Sequence, residues 1–202
     1  MKIVHIETLL NVGPFSTSAE WARLRENLLS EIRRIDWPPG SGKFTIHPQS
    51  GKRRGEGNGV TPIKDGFIQR LIAQGWDREQ PLDLATNVRP GKLDAVNRVG
   101  NIIIALEWET GNISSSHRAL NKMALGILKK ALNVGILVVP SRNLYQYLTD
   151  RVGNFNELQP YVDLWKALNI EDGILEIVVV EQDSESVDVP RIPKGTDGRS
   201  LQ

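Results

Sequence analysis

The sequence predicts an α/β fold, in which helices pack on a β-sheet, and two observations favour it. Continuous apolar runs of strand length, such as 134–139, recur along the chain, as in strands that are covered on both faces. Segments with apolar residues at helical spacing alternate with these runs. The second half of the chain follows the order strand, helix, strand, helix, helix, strand, which indicates an α/β architecture. A length of 202 residues suits a single domain.

The first half of the chain is predicted to contain two helices separated by a loop. Apolar residues recur at helical spacing over 19–35, with Ser18 placed to cap the first turn. The following stretch is rich in glycine and charge, so we predict a loop there, with a short strand at 43–47. A second helix is predicted over 63–74, and Gly75 is expected to end it.

The second half of the chain is predicted to supply most of the sheet. Apolar runs predict strands at 101–110, 134–139 and 174–180, and a further strand that carries Asp94 is predicted at 92–99. Helical spacing predicts helices at about 114–132, 141–147 and 157–168. The polar segment 183–202 is expected to form a C-terminal tail with little core of its own.

The composition excludes several classes of protein. The chain has no cysteine, so disulfides, thiolate metal sites and cysteine nucleophiles are ruled out, and a reducing cytoplasm is the expected location. The first ten residues do not resemble a signal peptide, and the longest apolar runs are too short to cross a bilayer, so no membrane is expected as a partner. Because 25 basic residues face 24 acidic ones, net charge does not decide for or against nucleic acid.

The clearest chemical feature is a set of three acidic residues. Glu107 and Glu109 are two residues apart on a predicted strand, so their side chains point to the same face. Two such carboxylates repel each other unless a cation lies between them. Asp94 lies on a predicted neighbouring strand, and the three together suit Mg²⁺, which prefers oxygen ligands. The alternative is that the glutamates form the solvent-exposed face of an edge strand.

The segment that follows these acids carries groups that suit DNA. Asn112, Ser114 and Arg118 lie at a predicted helix start, where free backbone N–H groups, hydroxyls and a guanidinium can contact phosphates or base edges. Ordinary helix capping is the alternative. We assign His117, in the same segment, no catalytic role.

A second pair of residues suits base recognition. Arg151 can donate to guanine, while Asp150 beside it can accept from the paired cytosine. An exposed ion pair is the alternative reading of these two residues.

Longer motifs identify a family. The segment 107–115, followed by His117 and Arg118, is similar to the active-site strand and following helix of the BamHI family of type II restriction endonucleases. Further similar segments occur in the same order at 37–38, 44–46, 58–64, 79–83, 147–152, 154–155 and 190–198. The resemblance therefore covers the chain from about residue 37 to residue 200.

This resemblance implies a fold and a set of roles. The fold would be a central mixed sheet flanked by helices, of the restriction-endonuclease-like PD-(D/E)xK type, formed by 1–202 as one domain. The metal-binding and catalytic acids would be Asp94, Glu107 and Glu79. Glu109 would be the general base, at a position where most related nucleases have a lysine.

The resemblance also implies how DNA is bound. Lys64 would lie near a phosphate. The residues that match the family's major-groove contacts are Asn112, Ser114, Arg118, Asp150 and Arg151, and those that match its minor-groove tail are Asp197 and Gly198.

The activity implied is Mg²⁺-dependent cleavage of double-stranded DNA by a homodimer, at GGATCC and after the first G. The sequence departs from the family in a shorter stretch between Asp94 and Glu107, and around 129–135, a region that contributes to the family's dimer interface. Two alternatives remain open at this stage. One is a sequence-specific DNA-binding protein without catalysis, and the other is a nuclease for a related site that contains GATC.

Overall fold

A computed structural model of the chain describes residues 1–53, 55–82, 91–149 and 152–194. Its strands are β1 (Lys2–Val12), β2 (Thr45–Ile46), β3 (Asp77–Pro81), β4 (Lys92–Val99), β5 (Ile102–Trp108), β6 (Val134–Pro140), β7 (Gly173–Glu181) and β8 (Ser184–Glu185). Its helices are α1 (Ala19–Arg33), α2 (Thr61–Ala73), α3 (Ile113–Leu128), α4 (Arg142–Tyr145), α5 (Phe155–Leu158) and α6 (Val162–Lys166). Within the described residues, no helix is both long and apolar enough to span a membrane.

The main sheet has six strands in the order β1-β7-β6-β5-β4-β3. Strands β5, β6 and β7 run parallel, whereas β1, β4 and β3 each pair antiparallel with their neighbour. Parallel neighbours need crossover connections, and α3 makes one between β5 and β6, while α4, α5 and α6 lie in the next. The predicted mixed sheet flanked by helices is therefore confirmed.

The two faces of the sheet are covered by different helices. On β5, Ile104 and Leu106 pack with residues of α1 and α2 in one buried cluster. Ala105, between them, belongs to a second cluster that contains the apolar face of α3 and residues of α5 and α6. Strand side chains alternate between faces, so burial on both sides requires the continuous apolar runs seen in the sequence.

The predicted helix ends at Ser18 and Gly75 are confirmed. The Ser18 hydroxyl accepts the backbone N–H of Trp21 at 3.0 Å, which satisfies one of the free donors of α1. Gly75 has a φ of 92° and follows α2 directly. This left-handed conformation favours glycine and ends the helix.

Two predicted helices were wrong in extent. The segment predicted as one helix over 157–168 is α5, a 3-10 turn at Gln159–Tyr161 and α6. Pro160 lacks the N–H that a continuous helix would need there. Helix α3 ends at Leu128 rather than near residue 132, and Lys130 beyond it has a φ of 57°.

Three strands were not predicted: the short β8 in the tail, and β1 and β3, which lie at the two edges of the main sheet. β3 is mostly exposed and polar, and β1 is only partly buried. An edge strand that faces solvent needs no apolar pattern, so the periodicity that reveals central strands is missing.

The C-terminal tail packs on the loop between α1 and α2 as far as it is described. β8 pairs in parallel with β2. Ile192 is buried, its N–H donates to Oδ1 of Asn58 at 3.0 Å, and its carbonyl accepts the N–H of Gly59 at 2.9 Å. The tail therefore adds an apolar side chain to the core.

Candidate active site

The predicted acids Asp94, Glu107 and Glu109 line one open cleft of about 1170 Å³. Asp94 belongs to β4, Glu107 to β5, and Glu109 follows the end of β5, where its N–H still donates to the carbonyl of Val138 on β6. The cleft thus lies where β5 ends and α3 begins, a position that suits a ligand in a sheet of this type.

Asp94 is held between a helix and the neighbouring strand. Its Oδ1 accepts from Nζ of Lys64, on α2, at 2.7 Å. Its Oδ2 accepts the backbone N–H of Trp108 at 2.9 Å. Lys64, which we expected near a phosphate, therefore lies beside an acid of the cleft.

Glu107 forms an ion pair with Lys122 on α3. Nζ of Lys122 also donates to the backbone carbonyl of Lys92 at 2.7 Å. Burial raises the pKa of Glu107 to about 7, repulsion by Asp94 adds to the rise, and Lys122 opposes it. The carboxyl of Glu107 is thus in a site where a further positive charge is favourable.

Lys122 was not singled out from the sequence, although a signal was present. It lies within the apolar face of α3, with Ala119 and Met123 close to it in the chain and both buried. A charged residue in such a face is seldom fully buried without a partner, so its position indicates an acidic group opposite the helix.

Glu109 is buried and held by the turn that follows β5. Its Oε1 accepts the backbone N–H of Gly111 at 2.5 Å. A Cβ at position 111 would lie 2.9 Å from that oxygen, so a larger residue there would displace the Glu109 carboxylate. Burial raises the pKa of Glu109, and the Gly111 hydrogen bond partly offsets the rise. A raised pKa brings this carboxylate nearer to the range that suits a general base.

The carboxylates of this cleft fit the ligand set that a protein-bound magnesium ion usually has. Among the described residues, no group of three or more His, Cys, Asp or Glu side chains is arranged to hold a metal. Mg²⁺ in nucleotide-processing sites usually takes one or two carboxylates, keeps several waters and binds substrate phosphate. The pair Asp94 and Glu107 supplies the oxygens that such a site needs.

Glu79 is not among the residues that line the cleft. It lies on β3 with a side chain that is 55% exposed, and its Oε2 accepts from Nζ of Lys92 at 3.2 Å. Its backbone has a φ of 52°, which is uncommon for a non-glycine residue. The structure thus brings together three of the four predicted acids.

Of the residues predicted to contact DNA at the start of α3, Ser114 and Arg118 line the same cleft, whereas Asn112 is not among the residues that line it. Asn112 caps the helix, since its Oδ1 accepts the N–H of Ser115 at 3.2 Å. Because the cap is Asn112, the hydroxyl of Ser114 is left to the cleft, which it lines together with Arg118. The remaining predicted contacts, Asp150, Arg151, Asp197 and Gly198, lie outside the described residues.

The sequence matches one family over nearly its whole length. The profile described as "Restriction endonuclease BamHI" matches residues 1–199. The type II restriction enzyme OkrAI of Oceanobacter kriegii is 46% identical over 202 residues, which is all of both chains. The type II restriction enzyme BamHI of Bacillus amyloliquefaciens is 36% identical over 176 residues, which is 81% of this chain and 76% of the relative.

A solved structure of more distant sequence has a similar fold. The restriction endonuclease BglII, in a complex with a DNA 16-mer, superposes with a TM-score of 0.63 over 91% of this chain and 79% of that one, at 14% identity. At this identity the likeness concerns the fold, and it agrees with the mixed sheet flanked by helices.

Proposed function

The chain belongs to the BamHI family of type II restriction endonucleases and is a site-specific deoxyribonuclease, and from this premise we propose that it cuts both strands of GGATCC after the first G, as a Mg²⁺-dependent homodimer. One observation carries the proposal: Asp94, Glu107 and Glu109 line one cleft with the start of α3. The absence of cysteine supports a place in the reducing cytoplasm.

Each acid has its own task in the proposed hydrolysis. Asp94 and Glu107 would hold Mg²⁺, which when bound activates water and neutralises charge on the phosphate. Glu109 accepts the proton of the attacking water, because it is the acid that no lysine pairs with among the ion pairs of the described residues. Glu79 would join the acidic set by leaving Lys92. The products carry a 5′ phosphate and a 3′ hydroxyl.

The proposed DNA contacts are of two kinds, to phosphate and to base edges. Lys64 contributes a cation beside the acids, where the scissile phosphate must lie. Asn112, Ser114 and Arg118 would meet base edges of the half-site, and the place of Ser114 and Arg118 in the lining of the cleft supports this.

For the rest of the recognition we rely on the family resemblance alone. Asp150 and Arg151 would read the outer G·C pair, and Asp197 and Gly198 would reach the minor groove. A bidentate contact is worth about 1–3 kcal/mol in discrimination, so Arg151→Ala should lose sequence-specific cleavage. Retention of full specificity by that variant would remove the assignment.

A homodimer would match a palindromic site, because two subunits related by a two-fold axis each read one half-site. Exposed apolar side chains support such an interface. Leu125 and Leu128 on α3, and Leu164 on α6, are 37%, 53% and 65% exposed. The two helices are neighbours, since Nε1 of Trp165 donates to Oδ1 of Asn121 at 2.9 Å.

The test is digestion of a plasmid of known sequence in Mg²⁺ and in EDTA, followed by sequencing of the ends. We expect cuts in Mg²⁺ at GGATCC only, and none in EDTA. Cuts at other sites that contain GATC would keep the chemistry and overturn the recognition site. Specific binding without cleavage in any metal would favour a DNA-binding protein instead.

A further inference from the structure

The ammonium group of Lys122 is a buried cation that the proposed hydrolysis leaves without a role. Its side chain is only 6% exposed. It contacts two groups from different strands, a carboxylate oxygen of Glu107 on β5 and the carbonyl oxygen of Lys92 on β4. A buried ammonium is costly unless it is paired, so the carboxylate of Glu107 is what makes this lysine tolerable inside α3.

The two lysines of the cleft differ in how they are held. Lys64 is 21% exposed and pairs with Asp94, whose other oxygen is taken by the N–H of Trp108. Lys122 is more deeply buried and has two acceptors. The more firmly held cation is therefore the one on Glu107.

The charges in the cleft bear on when a divalent cation can enter. The two ammonium groups nearly balance the three carboxylates, Asp94, Glu107 and Glu109. Two ammonium groups among three carboxylates therefore weaken the attraction of the cleft for a divalent cation, and once that cation has bound the cleft carries a net positive charge. A phosphate that enters with DNA carries the negative charge that restores the balance.

We propose that Lys122 is a positioning residue that holds Glu107 in the DNA-free protein and competes there with a divalent cation, so that the metal binds weakly until a DNA phosphate is present. The inference rests on the proposed function, because it takes Glu107 as a metal ligand. Bound DNA would then raise the affinity for the metal, and bound metal would raise the affinity for DNA by the same factor, because such a coupling is reciprocal.

The direct test measures how tightly the full chain binds Mn²⁺ without DNA. Binding is measured as the loss of the electron paramagnetic resonance signal of free Mn²⁺. We expect Lys122→Met to bind Mn²⁺ about tenfold more tightly than the wild type, within the usual range of such couplings. Lys2→Met removes an equal charge from the exposed start of β1, at the far edge of the sheet, and should leave the affinity unchanged. Equal or weaker binding by Lys122→Met would overturn the proposal.

Thermal unfolding in EDTA keeps the proposal testable if Lys122→Met folds poorly. The substitution should lower the melting temperature less in a Glu107→Gln background than in the wild type, because the charge that the lysine neutralises is then absent. An equal loss in both backgrounds would show a purely structural lysine and overturn the pairing role.

If the wild type does not cut the plasmid in Mg²⁺, the proposed function fails. If it does cut and Mn²⁺ binding is unchanged, this inference alone fails.

Discussion

At the scale of single residues, the acids of the cleft have similar side chains and different surroundings. Asp94 and Glu107 each contact an ammonium group, from Lys64 and Lys122. Glu109 accepts from the backbone N–H of Gly111 instead. Lys122 opposes the rise in the pKa of Glu107, although burial and Asp94 still bring that pKa to about 7. The ammonium contacts of Asp94 and Glu107 support the proposal that these two acids bind the metal, while Glu109, which contacts a backbone N–H instead, transfers the proton.

This division leads to a prediction for Glu109→Gln. Glutamine keeps the shape of the side chain and an oxygen for the Gly111 N–H, but it accepts no proton at neutral pH. We expect a cleavage rate lower by about 10²–10⁴-fold, the usual contribution of a general base, with DNA affinity within a few-fold of the wild type. Single-turnover cleavage and filter binding measure the two quantities. Normal cleavage by this variant would remove the general-base role.

Single residues also show what the sequence could not reveal about the site. The alternation of Glu107 and Glu109 predicted a shared face, and both do line the cleft. The pairing of Glu107 with Lys122 joins a strand to a helix 15 residues further on. The periodicity of α3 indicates that Lys122 needs an acidic partner, but it does not identify Glu107, because the contact depends on how α3 packs against the sheet.

At the scale of secondary structure, prediction was best where an element is buried. Strand β4 was predicted with the bounds that it has, Lys92–Val99, and β6 within one residue. Buried positions force an apolar pattern, which is complete in β6 and covers part of β4. The edge strands β1 and β3 were missed, because solvent on one side removes that constraint. Helix α3 was predicted four residues too long for a different reason, since the buried Leu132 continues the apolar pattern while the backbone leaves the helix at Lys130, with a φ of 57°.

The start of α3 combines a structural and a functional task in Asn112. Its side chain caps the helix, and we propose that it also meets DNA. Asn112→Asp keeps the cap and adds a negative charge at the DNA-facing surface, whereas Asn112→Ala loses the cap, at a cost of about 1 kcal/mol. We therefore expect Asn112→Asp to unfold like the wild type in urea and to bind DNA much more weakly, while Asn112→Ala loses stability as well. Wild-type DNA affinity in Asn112→Asp would separate this residue from DNA binding.

Packing of α1 on the sheet includes a buried ion pair. Nε of Arg25 donates to both carboxylate oxygens of Glu176 on β7, at 2.9 and 3.1 Å, and the glutamate side chain is 5% exposed. Arg25→Met would leave this carboxylate without its cation, so we expect a loss of about 3 kcal/mol in the free energy of unfolding.

A matched control lies on the same helix. Arg34 is 68% exposed and contacts Glu31, which Arg70 also contacts at 3.1 Å. Because Arg70 remains, Arg34→Met should cost less than about 1 kcal/mol. Urea unfolding followed by circular dichroism measures both variants. Equal losses would show that the two ion pairs contribute alike, contrary to their burial.

At the scale of the whole molecule, the proposed homodimer would supply one cleft for each strand of the DNA. The described residues form one such cleft, at the start of α3. One cleft that binds one phosphate would cut one strand, and the second copy in the proposed homodimer, related by a two-fold axis, would cut the other. The later part of α3, with Leu125 and Leu128, presents exposed apolar side chains. The same helix therefore links the cleft to the proposed interface.

This arrangement gives a prediction for Leu128→Asp. The side chain is 53% exposed in the single chain, so an aspartate there is tolerated in a monomer, but a charge buried between two subunits is costly. Val187→Asp, at a side chain that is 71% exposed and lies in the tail, is the control. Sedimentation velocity should show twice the mass of one chain for the wild type and the control, and a single chain for Leu128→Asp at the same concentration. Cleavage of supercoiled plasmid should fall with the loss of the dimer, and any product that remains should be nicked rather than linear. If Leu128→Asp dimerises as tightly as the wild type, the interface does not lie on this face of α3. If the wild type stays monomeric on specific DNA, the homodimer itself is overturned.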